Sequence, residues 1–271
     1  MSTNSMSRRR FLQSTGAAAL WLPTAVKGYT SSEMQALYVD GVMQEDVSKW
    51  GLDTPSLCVD LNVLEANIAR MQSTTASNGI ASRPHAKTHK TPIIAQMQLD
   101  SGSVGICTAK VSEAEAMFQH GIEQILMTTT NVTPTKIRRA MNLRESCDDF
   151  IQATDSPDNA RLLSAAAESM GMVADIVVDV DPGGHRTGIT PGQPALQLAQ
   201  LIDGLPGLRL RGLLCYDGGS QHVKGFEQRK NQTLERLVAA TGTYDLFQQS
   251  GLSTDIFSGG GTGTYNIDHE T

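Results

Sequence analysis

From residue 54 onward, short β-rich runs alternate with helical patterns, and this alternation limits the possible folds more than any other feature of the sequence. Leu64, Ile68 and Met71 lie at helical spacing after the first run, which predicts an amphipathic helix. Repeated βα units predict parallel strands, and eight of them favour an α/β fold of the (β/α)8 TIM-barrel type, with an open doubly wound sheet as the alternative. The predicted strands are residues 56–60, 82–88, 104–109, 124–129, 150–154, 174–179, 208–216 and 255–258.

The composition excludes several classes of protein. The 271 residues are 39% hydrophobic and 18% charged, which is typical of a globular protein rather than of a disordered chain. Acidic residues outnumber basic ones by 28 to 22, so the net charge of -6 argues against a nucleic-acid partner and favours a small-molecule substrate. The cysteines are too widely spaced to indicate a disulfide framework or a zinc site. They are Cys58, Cys107, Cys147 and Cys215.

The first 27 residues have the order of an export signal. Arg8 and Arg9 precede Phe11, and an apolar stretch at residues 16–26 is too short to span a membrane. This order predicts a twin-arginine leader and a periplasmic or exported protein, with a basic tail beside a short buried helix as the alternative. The predicted organisation is therefore a leader at 1–27, an extension at 28–53, a barrel at 54–265 and the start of a further segment at 266–271.

The most informative segment is the second predicted strand and the residues just after it. If its side chains alternate with period two, the four basic residues Arg83, His85, Lys87 and His89 share one face and Lys90 lies on the other. Such a face is solvated in a half-exposed strand, but a parallel barrel strand is covered on both sides. A bound anionic cofactor would then neutralise the charges, and a sheltered lysine could form a Schiff base.

A glycine-rich segment comes at the end of the last predicted strand. Ser258, Gly259, Gly260, Gly261 and Thr262 form the first part of this segment. Glycines let backbone N–H groups approach an anion closely, and the loops after strands seven and eight are the usual phosphate site of such barrels. The segment therefore predicts a phosphate site, with a simply flexible loop as the alternative.

Four motifs together resemble one enzyme family. RPHAKTHK follows a TPSLCVDLNVLEANI opening, and GICTAKVSEAE, DVDPGGHRTG and SGGGTGTY occur further along the chain. This set resembles the D-threonine aldolase and D-serine dehydratase family, which are fold-type III enzymes on an alanine-racemase-like barrel. The resemblance covers about residues 54–265 and implies pyridoxal 5'-phosphate as cofactor, a small D-amino acid as substrate and a homodimer for a full-length protein.

The resemblance also implies roles for single residues. It makes Lys87 the Schiff-base lysine, with Lys90 as the rival, and lets His85 and His89 take part in catalysis. Arg186 would face the cofactor ring nitrogen, where a permanent positive charge weakens the ring as an electron sink. Tyr216 would lie beside the cofactor, and the glycine-rich segment would hold the phosphate. The open alternatives are a solvated arginine in a loop and a tyrosine that only closes the barrel mouth.

The implied reaction is that of a lyase on β-hydroxy D-amino acids, either retro-aldol cleavage to glycine and an aldehyde or dehydration. Family members use a divalent metal such as Mn, Mg or Zn, held by a C-terminal β domain, and no residue here is assigned as a ligand because His269 lies two residues from the end. We therefore expect a truncated chain that binds the cofactor but turns over D-threonine poorly. An amino-acid racemase of the same fold and a non-catalytic pyridoxal-phosphate-binding protein are the alternatives.

Overall fold

A computed structural model of the chain describes residues 28–39 and 42–270, so the predicted leader lies outside the described residues. The chain divides into two compact units, Met1–Leu64 and Glu65–Thr271. Residues 54–64, which the sequence assigns to the barrel, fall in the first unit. Among the described residues, every helix falls short of what a bilayer-spanning segment requires in length and apolar character.

The first unit contains little regular structure. Helix α1 (Ser31–Ala36) begins after Thr30, which forms a capping box with Glu33. Strand β1 (Tyr38–Val39) pairs antiparallel with strand β2 (Val42–Met43). The predicted first strand at residues 56–60 is wrong: this segment is not a strand, and its Leu57 side chain is fully exposed. Its apolar residues lack the sheet partner that β-structure needs.

The second unit alternates helices and strands along the chain. Helix α2 (Leu61–Ser77) begins before the boundary between the units and is followed by α3 (Pro92–Asp100). Six strands separated by five helices then follow: β3 (Ile106–Thr108), β4 (Ile125–Met127), β5 (Phe150–Thr154), β6 (Ala174–Asp179), β7 (Leu208–Cys215) and β8 (Ile256–Gly259). The helices between them are α4 (Val111–Gln119), α5 (Pro134–Ser146), α6 (Pro157–Ser169), α7 (Gln193–Gly204) and α8 (Phe226–Gln249).

The six strands form one parallel sheet in strict sequence order from β3 to β8. A doubly wound sheet would reverse its strand order at a switch point, so that alternative is excluded. The sheet curls into a half-barrel with helices, which confirms the predicted fold class and six of the predicted strand positions. All six strands end at the same edge, where the loops that carry the predicted site residues meet.

The second predicted strand, residues 82–88, does not form: residues 82–85 are extended, with one isolated bridge between His85 and Cys107. Residues 82–85 run alongside β3, where Val104 N–H donates to the Ser82 carbonyl at 3.0 Å and Cys107 N–H to the Pro84 carbonyl at 2.7 Å. The chain then turns into a short 3-10 helix, Ala86–Thr88. The strand prediction for 82–88 is therefore wrong, and period-two alternation does not apply to Lys87 and the residues after it.

Strands β3 to β6 are buried on both faces, as expected for strands in the interior of a parallel sheet. Ile106, Ile125, Phe150 and Ile176 pack against the surrounding helices in the larger core. Alternate residues on the opposite face form a second, smaller cluster, made of Cys107, Leu126, Ile151, Ala153, Val177 and Leu214. Burial on both faces fixes the strand register, and so fixes which side chains emerge at the carboxyl edge.

Candidate functional site

Lys87, Arg186 and Tyr216 come together at the carboxyl ends of the strands, although they are far apart in sequence. The Lys87 amine nitrogen lies 5.7 Å from the centre of the Tyr216 ring, and the Arg186 guanidinium carbon lies 5.0 Å from the same centre. Tyr216 directly follows β7, and Arg186 lies in the loop after β6. An amine and a guanidinium thus lie against one aromatic ring, and all three groups come from predicted site residues.

His85 holds the turn that carries Lys87. Its Nδ1 accepts the backbone N–H of Lys87 at 3.2 Å, and its Nε2 lies 3.3 Å from the Thr128 hydroxyl. Because Nδ1 accepts, a neutral ring carries its proton on Nε2. Burial, reinforced by the positive charge of Lys87, lowers the pKa of His85 to about 4. A neutral His85 therefore caps the Lys87 turn near pH 7.

Lys90, the alternative Schiff-base lysine, contacts a different residue. Its backbone adopts a left-handed conformation with φ 52°, and its amine lies 3.9 Å from a carboxylate oxygen of Glu113. The Glu113 carboxylate also accepts the backbone N–H of Ala109 at 2.9 Å, which fixes its position at the start of α4. Lys87 thus remains the favoured Schiff-base lysine, but because of its position beside Tyr216 and not because of strand alternation.

The predicted basic face is divided in this structure. Arg83 lies at the start of the extended segment, and its guanidinium fills the space left by Gly105, where an added Cβ would lie 2.2 Å from a guanidinium nitrogen. His89 is half-buried, and its Nδ1 accepts the backbone N–H of Thr91 at 3.0 Å. Burial lowers the pKa of His89. The expectation that Arg83, His85, Lys87 and His89 share one face is therefore wrong, because the extended segment ends at His85.

Two aspartates, which the sequence reading did not single out, shape the loop that carries Arg186. The Asp181 carboxylate accepts the backbone N–H groups of Gly183 at 2.9 Å, Gly184 at 2.8 Å and His185 at 3.1 Å. At the other end of the loop, the Gly188 N–H donates to Asp155 at 3.2 Å. An aspartate that accepts several following N–H groups is a recognisable turn signal, so Asp181 could have been found from sequence.

A third aspartate, Asp179, lies buried at the end of β6. Burial raises its pKa to about 6, and Asp155 adds to this effect, while a hydrogen bond from Thr187 and the charge of Arg186 oppose it. Thr187 directly follows Arg186 in the chain. The site edge thus contains a carboxyl group whose proton equilibrium lies near neutral pH, next to the loop of the guanidinium.

The glycine-rich segment is a tight turn that packs against other parts of the chain. Ser258 and Gly259 are the last residues of β8, which therefore ends one residue later than the predicted strand 255–258. A Cβ on Gly260 would lie 2.1 Å from an Asp268 carboxylate oxygen, and Gly260 has φ +71°. Asp268 also accepts the Thr264 hydroxyl at 2.9 Å. The flexible-loop alternative does not describe this segment, because its glycines permit close contacts.

The Asp268 carboxylate shows that the loop accommodates an acidic group. Burial raises the pKa of Asp268 to about 6, while hydrogen bonds from Thr264 and from the backbone of Gly261 oppose the shift. The same kinds of donor, a hydroxyl and a backbone N–H, are those that bind phosphate oxygens. The loop, the Lys87 amine and the groups around Tyr216 therefore fit a cofactor that has a phosphate, an aromatic ring and a carbonyl.

Gln221 joins the two parts of this site, and sequence reasoning missed it. Its Nε2 donates to the Tyr216 hydroxyl at 2.6 Å, and its Oε1 accepts the Gly263 N–H at 3.2 Å. The residue lies in a short 3-10 turn, Ser220–His222, after β7. No periodicity or spacing marks such a residue, because its role depends on a loop that is about forty residues further along the chain.

The described residues do not fit a metal centre. Among them, no group of three or more His, Cys, Asp or Glu side chains is arranged to hold an ion. His269 lies in the terminal 3-10 turn Asp268–Glu270, whose Glu270 pairs with Lys230 at 2.6 Å. The described part of the chain thus contains no group of side chains that could hold a metal ion for catalysis.

The family model described as the alanine racemase N-terminal domain matches residues 59–269. The chain belongs to this family. Members of the family depend on pyridoxal 5'-phosphate. The match extends from just before α2 into the terminal turn, so it includes Lys87, Arg186, Tyr216, Gln221 and the glycine-rich loop.

Individual relatives agree with the family. The chain is 35% identical over 79% of its length to a 3-hydroxy-D-aspartate aldolase from Paracoccus denitrificans (strain Pd 1222), and 36% identical over 80% to a D-threonine aldolase from an Arthrobacter species. A solved D-threonine aldolase from Filomicrobium marinum superimposes with a TM-score of 0.78 over 80% of this chain, at 35% identity. The matches span 56%, 57% and 59% of these proteins, so the chain corresponds to somewhat more than half of each.

Proposed function

We propose that this chain binds pyridoxal 5'-phosphate at the carboxyl edge of its sheet and serves as a lyase on β-hydroxy D-amino acids. The observation that carries the proposal is the meeting of Lys87 and Arg186 over the Tyr216 ring. A glycine-rich loop that accepts acidic groups is linked to the same ring through Gln221. The names of the most similar relatives, which are aldolases of D-hydroxy amino acids, support the substrate class.

Each part of the site would hold one part of the cofactor. Lys87 would bond to the carbonyl carbon, Arg186 and Tyr216 would contact the ring, and residues 258–262 would bind the phosphate. When bound, the cofactor supplies an electron sink for bond cleavage at the amino acid. The chain's own residues then have to fix the orientation of the ring and keep the amine of Lys87 in place.

His85 contributes to this orientation rather than to proton transfer. Its Nδ1 is engaged by the Lys87 N–H, and its low pKa makes it a poor base at neutral pH. This refines the expectation that His85 takes part in catalysis. Asp179, whose pKa burial raises to about 6, is a group at this edge that can exchange a proton near neutral pH.

Retro-aldol cleavage is the favoured reaction within this class. It begins when the β-hydroxyl loses its proton, and it yields glycine and an aldehyde. Two of the relatives that match most of the chain are named as aldolases at 35% and 36% identity. A D-threo-3-hydroxyaspartate dehydratase from a Delftia species matches at 31% over 79% of the chain, so dehydration is the second candidate.

Product analysis distinguishes these reactions. The purified protein would be loaded with pyridoxal 5'-phosphate and incubated with D-threonine, D-3-hydroxyaspartate or D-serine, with and without Mn²⁺. Glycine and an aldehyde indicate the aldolase, and a keto acid with ammonia indicates the dehydratase. Inversion of D-alanine would instead assign a racemase, and bound cofactor without any turnover would assign a binding role. Stimulation by Mn²⁺ would show that a metal takes part.

We also propose that residues 1–27 direct the protein to export. These residues lie outside the described part of the chain, so the proposal rests on Arg8, Arg9 and the apolar stretch at 16–26. Replacing both arginines by lysine keeps the charge but removes the guanidinium pair that the export receptor reads. We expect the variant to stay in the cytoplasm, as measured by cell fractionation. Equal export of the variant and the original chain would contradict the proposal.

A further inference from the structure

The backbone at Gln221 is fixed by its neighbours. Ser220 is fully buried, and its hydroxyl donates to the Asp217 carboxylate. The Gln232 amide from α8 donates to the same hydroxyl at 3.2 Å, and the Gly219 N–H donates to Asp217 at 2.8 Å. These contacts tie the 3-10 turn to α8, so the Cα of Gln221 has a defined position relative to the end of β7.

The side chain of Gln221 spans from Tyr216 to the glycine-rich loop. Its amide donates to the Tyr216 hydroxyl at 2.6 Å and accepts the Gly263 N–H at 3.2 Å. A primary amide has a donor and an acceptor on one rigid plane, so it can make both hydrogen bonds at once. An aliphatic side chain of the same size can make neither.

Two glycines of the loop have no side chain where Gln221 passes. A Cβ on Gly261 would lie 2.6 Å from Oε1 and 2.9 Å from Nε2 of Gln221. A Cβ on Gly263 would lie 3.0 Å from both Cα and Cβ of Gln221. The absence of these side chains lets the loop approach the amide, so the loop conformation and the position of Gln221 depend on each other.

We propose that Gln221 is a positioning residue, which sets the spacing between the tyrosine that faces the cofactor ring and the loop that binds the cofactor phosphate. This inference rests on the function proposed above. Tyr216 belongs to the end of β7 and Gly263 to the loop after β8, and the Gln221 amide is hydrogen-bonded to both. The amide thereby fixes the distance between the region that would contact the ring of a bound ligand and the region that would contact its phosphate.

Cofactor affinity in a double-mutant cycle tests this role. Gln221→Leu keeps the size and removes both hydrogen bonds, and we expect it to weaken pyridoxal 5'-phosphate binding about tenfold. Gln221→Glu should bind within about threefold of the original chain, because its carboxylate can accept from both Tyr216 and Gly263. In a Tyr216→Phe background, the effect of Gln221→Leu should shrink, since one end of the bridge is already lost. Equal effects in both backgrounds would overturn the proposal.

Pyridoxal without its phosphate provides the selective control ligand. Because the loop contacts only the phosphate, Gln221→Leu should reduce the affinity ratio of pyridoxal 5'-phosphate to pyridoxal several-fold. An equal loss for both ligands would indicate general damage to the site and would overturn the positioning role. Gln248→Leu, at an exposed position near the end of α8, should leave both affinities unchanged. Circular dichroism would verify that each variant is folded.

Amide hydrogen exchange separates this inference from the proposed function. In the protein without cofactor, the Gly263 amide should exchange several-fold faster in Gln221→Leu than in the original chain and in Gln221→Glu. Unchanged exchange at Gly263 would show that the bridge does not exist. If exchange changes as expected but no borohydride-reducible adduct forms at Lys87, the proposed cofactor function fails while the bridge remains established.

Discussion

The two ends of the parallel sheet differ in how their charged side chains are paired. At the amino end, the Asp175 carboxylate is only 1% exposed and pairs with two arginines on β7, Arg209 at 2.7 Å and Arg211 at 3.2 Å. Arg211 also pairs with Asp255 at 3.2 Å, just before β8. The buried Asp175 carboxylate therefore has opposite charges in contact, as a buried charge requires.

At the carboxyl end, two charged side chains lie close together without such pairing. Among the described residues, Lys87 and Arg186 form no ion pair, and both lie against the Tyr216 ring. His85 has its pKa lowered to about 4, and Asp179 has its pKa raised to about 6, so both neutral forms are favoured by burial. Groups with perturbed pKa values are typical of functional sites. This difference is the one expected if the amino end stabilises the sheet and the carboxyl end binds a ligand.

The largest expected effect is the loss of the covalent adduct at the carboxyl end. Lys87→Ala should abolish the borohydride-reducible adduct with pyridoxal 5'-phosphate, because the amine beside Tyr216 is removed. Lys90→Ala is the matched control and should keep the adduct, since Lys90 is directed to Glu113. Mass mapping of the reduced peptide reads the result. An adduct located on Lys90 would contradict the assignment of Lys87 as the Schiff-base lysine.

A stability measurement probes the amino end. Asp175→Asn should reduce the free energy of unfolding by about 3 kcal/mol, because two arginines lose their buried carboxylate partner. Urea unfolding followed by circular dichroism measures this loss. Below the unfolding transition, the variant should still form the Lys87 adduct. Asp158→Asn, in an exposed pair with Arg161, should unfold like the original chain. Loss of the adduct in folded Asp175→Asn would show that the two ends are coupled.

A smaller effect is expected in the pH dependence of stability. Because Asp179 binds its proton more tightly when folded, with a pKa of about 6 against an ordinary 3.8, it lowers stability as the pH rises from about 4 to about 6. Asp179→Asn removes this dependence. Relative to the original chain, the variant should therefore gain on the order of 2 kcal/mol between pH 4 and pH 7. Urea unfolding at both pH values tests this, and a constant difference would contradict it.

The sequence predicts the sheet well where a strand is buried on both faces. The run at residues 174–179 is buried throughout and contains three successive apolar residues at 176–178, and parallel pairing follows from the intervening helices. The pattern fails at 56–60, where the apolar residues find no partner strand, and at 82–88. There, capping by the His85 ring favours a 3-10 turn, and a basic period-two pattern does not reveal such a turn.

For the site, the resemblance of the sequence motifs to a known family implied that Lys87, Arg186 and Tyr216 meet at one cofactor, and the structure brings the three side chains together. The motifs could not predict Gln221, whose partners lie on both sides of α8 in the sequence. Nor could they show that the glycines at 260 and 261 accommodate Asp268 and Gln221. Such contacts depend on the final distances between loops, and a linear pattern contains no information on those distances.

The close fit between Gln221 and the loop also constrains how this part of the gene can vary. At Gly261 an alanine would meet only the flexible end of the Gln221 side chain, so a shorter residue at 221 could compensate for it. At Gly263 an alanine would meet the Cα of Gln221, which no exchange of side chain at 221 can move. Positions 221 and 261 are therefore expected to change in concert during evolution, whereas position 263 should accept only glycine.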